Sequence, residues 1–226
     1  VVVTITAGGN TNYNSGSKDV TITVQKYIPT LAWASTTPSS IVYGTTGKTA
    51  TVTATVSGGT KGAITYASGT TSVLTINAST GTLTTKGVGS SVITASIART
   101  STVKAGSTTK TISVTKATNP IAVTANTLTY NGKAQNLVTT KNAQGAVYYS
   151  VGTELTSSNY KTAGSTTVPT QTAANTSGYV VYYYCEGNGS YNAKSGNVTV
   201  KINKANATNP TLTKVTAQYD GNAHAV

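Results

Sequence analysis

Acidic side chains are nearly missing from this chain: Asp19, Glu154, Glu186 and Asp220 are the whole supply. Acid–base catalysis by paired carboxylates needs two acids side by side, and these four are scattered from one end to the other. The one histidine, His224, leaves no material for a Ser-His-Asp set, and it stands where a repeat elsewhere carries Gln135. A single cysteine, Cys185, excludes an intrachain disulfide, and one Cys with one His cannot build a zinc site. No loop offers the several carboxylates that calcium requires. Met and Phe are absent, and no apolar run approaches the ~18 residues of a membrane-spanning helix. The expectation is a protein without enzyme activity, cofactor, metal or membrane insertion.

Charge of the other sign is present but thin. Sixteen Lys and Arg give a net charge of +12, yet charged residues make up only 9% of the chain. Arg99 is the single arginine, and the lysines form no run, which speaks against a sequence-specific nucleic-acid reader. They read as solubility and as protection of strand edges, with weak attraction to anionic surface polymers as a by-product.

Threonine fills about a fifth of the positions, and Tyr (14 residues) replaces Phe. β-Branched Thr favours strands, and Tyr can bury its ring while its hydroxyl stays wet. At 37% apolar residues with low charge, disorder is not expected. In 50–56, Ala50, Val52, Ala54 and Val56 alternate with Thr, which puts them on one face of a strand. Further strands are expected over 1–7, 18–25, 31–35, 64–68, 74–77, 82–84, 91–97 and 110–115, separated by Gly-, Ser- and Asn-rich turns.

The chain repeats. Residues 179–204 align without a gap on 1–26, matching Gly187-Asn188 with Gly9-Asn10 and Tyr191-Asn192 with Tyr13-Asn14. Lys26, Lys116 and Lys204 close successive units 90 and 88 residues apart. Ala117-Thr118-Asn119-Pro120 recurs as Ala207-Thr208-Asn209-Pro210, and Tyr219-Asp220-Gly221 mirrors Tyr130-Asn131-Gly132. The spacing implies the C-terminal part of a repeat over 1–26, whole domains over 27–116 and 117–204, and the start of another over 205–226. Pro120 and Pro210 restrict the connecting segments. Both ends fall inside a unit, so a window on a longer tandem array is expected.

Within 27–116, four segments follow one another: Ile64-Thr65-Tyr66-Ala67-Ser68, Ser72 to Asn77, Thr80-Gly81-Thr82-Leu83-Thr84 and Gly87 to Ala95. This order resembles the bacterial immunoglobulin-like domain, group 2, with Tyr66 where that family often carries Trp. Within 117–204, Leu128 to Gln135, Val147-Tyr148-Tyr149-Ser150, Val168-Pro169-Thr170 and Gly178 to Tyr184 resemble a second class of bacterial surface repeat. The resemblance implies an all-β chain of tandem immunoglobulin-like antiparallel β-sandwiches, of the kind found in long secreted or surface-attached proteins.

The expected role is a structural or adhesive stalk segment, extracellular or at the cell surface. Its partners would be neighbouring immunoglobulin-like repeats, with glycans or anionic polymers as surface ligands and a filament or homo-oligomer as the assembled form. The alternative is a decoration or fibre segment on a virion surface with weak glycan or host binding. Tyr182, Tyr183 and Tyr184 are the candidate surface-binding residues, although strand alternation sends part of this cluster inward. Lys133 or Lys141 with Glu154 could in principle form an isopeptide bond. Cys185 and Trp33 read as core residues.

Overall fold

Period-two patterning and turn glycines produce an all-β protein, seen in a computed structural model that describes residues 1–208 and 218–222. Asn209, Pro210 and His224 of the final partial repeat lie outside the described residues. The chain divides into two compact units: Val1–Asn119 with Gly187–Ala193, and Pro120–Glu186 with Lys194–Val226. Each is an immunoglobulin-like sandwich.

The first unit opens with a hairpin, β1 (Val2–Ala7) and β2 (Gly16–Thr21), paired antiparallel. β2 ends sooner than the alternation over 18–25 implies. All residues of both hairpin strands are exposed, Ile5 of β1 by 62% and Val20 of β2 by 43%, so no apolar face holds 22–25 in strand geometry. There follow β3 (Thr30–Trp33), β4 (Ser40–Val42), β5 (Val52–Thr55), β6 (Ile64–Ser68), β7 (Leu74–Ile76), β8 (Leu83–Thr85), β9 (Gly89–Ile97) and β10 (Gly106–Thr115). One sheet has the order β4-β10-β9-β6, with β4 parallel to β10 and the other pairs antiparallel; β3-β5 and β7-β8 form two-stranded sheets. Their inner faces meet in a core of Ile41, Ala50, Leu74, Leu83, Ile93, Ile112 and Val114. Burial of each large aliphatic side chain there contributes about 1.5–3 kcal/mol.

The serine caught in this core is satisfied. Ser91 shares its hydroxyl with Ser68 at 2.8 Å and accepts the Thr70 N–H at 3.0 Å. Trp33 packs half-buried against this core, its indole nitrogen buried without a hydrogen-bond partner among the described residues.

The second unit repeats the plan: β11 (Ala122–Ala125), β12 (Leu128–Thr129), β13 (Gln135–Asn136), β14 (Val138–Lys141), β15 (Val147–Val151), a one-turn helix α1 (Tyr160–Ala163), β16 (Thr170–Gln171), β17 (Asn175–Cys185) and β18 (Lys194–Asn203). The order β12-β18-β17-β15, again with the short strand parallel to the last, matches β4-β10-β9-β6. Leu137, Val138, Tyr149, Val181, Val200 and Ile202 form its core. Cys185 is fully buried, a thiol serving as a small apolar side chain. Lys133, Lys141 and Glu154 are all exposed, so the buried trio an isopeptide bond needs does not form.

Candidate functional site

Strand alternation divides the tyrosine triplet. Tyr183 faces inward and packs against Val181 and Tyr149 in the core, while Tyr182 and Tyr184 face the other side of the sheet. There Tyr184 lies opposite Tyr148 on β15, and Tyr182 lies between Ser150 and Asn197. Tyr160, carried by α1, stacks on Tyr184 with ring centroids 4.3 Å apart and meets Tyr148 edge-on at 4.9 Å.

Four residues outside the predicted triplet complete this cluster: Tyr148, Tyr160, Lys161 and Glu186. The Tyr160 hydroxyl donates to Glu186 Oε1 at 2.8 Å, and Lys161 Nζ lies 3.2 Å from the same oxygen. The Tyr160 hydrogen bond, then the one from Lys161, hold the Glu186 carboxyl below its ordinary value. Glu186 in turn raises the Tyr160 phenol and the Lys161 ammonium. The lysine also stands 5.5 Å from the Tyr160 ring centroid. Chemically, the arrangement pins α1 to the sheet by stacking and one ion pair. No sequence pattern links residues 148, 160 and 184, because the strand pairing that gathers them spans tens of residues.

A second arrangement occurs twice, and it explains the lysines at the repeat ends. The β9–β10 connection makes a tight turn in which Thr100 Oγ1 accepts the Val103 N–H at 3.0 Å and the Thr100 N–H reaches Val103 O at 3.0 Å. The loop 187–193, which clusters with the first unit, makes the same turn. Asn188 Oδ1 accepts the N–H groups of Ser190 and Tyr191 at 2.8 and 3.0 Å, and the Asn188 N–H reaches Tyr191 O at 3.0 Å.

Each turn receives a lysine and the residue after it. Lys26 Nζ donates to Thr100 O, and Lys116 Nζ donates to Asn188 O at 2.8 Å. Tyr27 then forms a parallel bridge with Val103, bonding Thr102 O and the Lys104 N–H at 2.9 Å each. Ala117 does the same with Tyr191, bonding Ser190 O and the Asn192 N–H, also at 2.9 Å. Tyr43 meets Tyr191 edge-on at 5.7 Å. Lys110 and Lys194 likewise donate to carbonyls, of Thr37 and Ile121. In a chain this poor in acids, lysines take main-chain oxygens as partners. That role goes beyond the solubility expected of them.

No protein-family model and no curated protein matches the chain. Among solved structures, mouse cadherin-23 EC22-24 is 14% identical with a TM-score of 0.33, covering 90% of this chain and 73% of its own. Drosophila N-cadherin EC1-4 is 14% identical with a TM-score of 0.35, covering 86% and 54%. Surface layer protein SbsC, domains 1-6, is 14% identical with a TM-score of 0.30, covering 91% and 32%.

Proposed function

We propose that this chain is a non-catalytic structural or adhesive segment of a larger extracellular repeat protein, spacing or presenting a binding region. The observation that carries this reading is the duplicated clasp, in which Lys26–Tyr27 and Lys116–Ala117 hold equivalent hairpin tips by the same bonds. A segment whose connecting pieces are built alike, on sandwiches built alike, suits regular spacing. The four scattered acids add weight, since they supply no acid–base pair for chemistry. On the resemblance of residues 27–116, the proposal places the protein among bacterial immunoglobulin-like surface repeats.

Pulling the chain between its ends in a single-molecule force experiment tests the reading. Two rupture events are expected, each releasing about 300 Å of chain, the extended length of 88–90 residues. Extension without discrete ruptures would sink it, because a spacer must hold its shape under load.

A further inference from the structure

Asparagine is followed by glycine at two places in the chain, Asn131–Gly132 and Asn188–Gly189. Such a pair can modify itself: the glycine nitrogen attacks the side-chain carbon Cγ of the asparagine and displaces its amine. A glycine has no Cβ to crowd that approach. Both pairs are exposed, so sequence and solvent access treat them alike. Their surroundings do not.

At Asn188 the charge that develops in this attack is met by donors at both ends. Lys116 Nζ donates to Asn188 O at 2.8 Å. That oxygen belongs to the same peptide group as the attacking Gly189 nitrogen. When the Gly189 N–H loses its proton, resonance spreads the charge onto this oxygen, where the ammonium stabilises it. Asn188 Oδ1 accepts the N–H groups of Ser190 at 2.8 Å and of Tyr191 at 3.0 Å. These two donors face the oxygen that becomes negative as Cγ is attacked, which is the role of an oxyanion hole. Neither the Gly189 N–H nor Asn188 Nδ2 has a hydrogen-bond partner among the described residues, so proton and leaving amine are free to depart. At Asn131 one N–H, from Lys133, reaches Oδ1 at 3.0 Å, and among the described residues no lysine holds the main-chain oxygen.

We propose that Asn188–Gly189 is a self-modification site, where Lys116 and the N–H groups of Ser190 and Tyr191 promote closure of the side chain onto the main chain. A bond forms between Gly189 N and Asn188 Cγ, and the bond from Cγ to Nδ2 breaks. Nδ2 leaves as ammonia, taking up a proton in place of the one Gly189 gave to solvent. Water then opens the cyclic imide at one of its two carbonyls. Opening at Cγ leaves an aspartyl residue; opening at the main-chain carbon leaves an isoaspartyl residue, whose chain continues through Cγ. Ammonia departs, water enters, and nothing is oxidised or reduced.

Lys116 polarises the main-chain carbonyl, so opening there dominates. The oxygen that Lys116 already holds then becomes a carboxylate oxygen, and the clasp gains an ion pair in a chain that has four acids. The spacer reading does not depend on this chemistry and is decided separately, by rupture under force.

Incubating the intact 226-residue chain at neutral pH tests the proposal, with timed samples peptide-mapped by fragmentation that tells isoaspartyl from aspartyl. In the folded protein position 188 should convert faster than position 131, mainly to the isoaspartyl form. In urea strong enough to unfold both units, the two positions should convert at similar rates. K116A should slow position 188 about threefold, in keeping with an exposed charged contact, and leave position 131 unchanged. K116R, which returns a cation to the turn, should recover the rate. A turn that only shields Asn188 gives the opposite order, with position 188 slower than 131 and speeded by K116A. That order, equal rates at the two positions of the folded chain, or a rate at 188 indifferent to K116A would each overturn the proposal.

Discussion

Lys116 and Asn188 lie 72 residues apart in the chain and share a 2.8 Å hydrogen bond from the lysine ammonium to the asparagine carbonyl. Lys26 and Thr100, 74 residues apart, share the same bond. The recurrence turns a sequence landmark into a structural part with a measurable contribution.

For K116A, the amides of Ala117 and Asn192 should exchange with solvent about fivefold faster. This corresponds to about 1 kcal/mol, below the roughly 1.5–3 kcal/mol of a bond to a charged group, because Lys116 is exposed and solvent screens it. Thermal midpoints should barely move. Native-state hydrogen exchange checks this, and unchanged rates at both amides would refute a stabilising bond.

The Tyr160–Lys161–Glu186 cluster sets a pH window for α1. The Glu186 carboxyl is held below its ordinary 4.5, so its contribution is complete above that value and is lost as pH falls through the lower folded one. Tyr160 and Lys161 are raised above 10.0 and 10.5, so theirs is complete below those values and fades as pH rises through the higher folded ones. In E186Q the Tyr160 phenol should titrate closer to 10.0 than in the unaltered protein. Side-chain ¹³C NMR of tyrosine reads this directly, and an unmoved Tyr160 resonance would remove Glu186 as the cause.

Separate cores should fail separately. L74A leaves a void in the first unit and I202A one in the second, each costing about 2–5 kcal/mol. Calorimetry should show L74A lowering one transition and I202A the other. A single transition lowered equally by both would show that the two cores unfold as one.

Gly81 has φ +70°, and a Cβ built there would lie 2.2 Å from the Ala50 carbonyl oxygen. G81A should therefore cost roughly 2–4 kcal/mol, from left-handed strain together with a clash against main chain that cannot swing away. Urea denaturation measures it. Gly44 has φ +79° but open space around it, so G44A should lose only the strain.

Legibility in the sequence followed the range of the interaction. Val52 and Ala54 were placed on one buried face by their alternation alone, and the structure buries both. The spacing of Lys26, Lys116 and Lys204 marked the repeats, but not that Lys26 and Lys116 each reach a carbonyl in a turn more than seventy residues on. β4 and β12 were missed because two or three residues beside turn glycines carry no period of their own; pairing with β10 and β18 makes them strands. Tyr182–Tyr184 drew the eye as a run. The cluster that formed instead joins Tyr148, Tyr160 and Tyr184, which only the register of β15 against β17 brings together.

The distance along the chain between a closing lysine and its acceptor also dictates a timetable. When Lys116 leaves the ribosome, the carbonyl of Asn188 has not yet been made; at about 5–20 residues per second it follows about 4–14 s later. Residues 27–115 can reach their own fold in that interval, before the clasp that includes Lys116 can close. Synthesis itself thereby separates the folding of each sandwich from its linkage to the next stretch of chain.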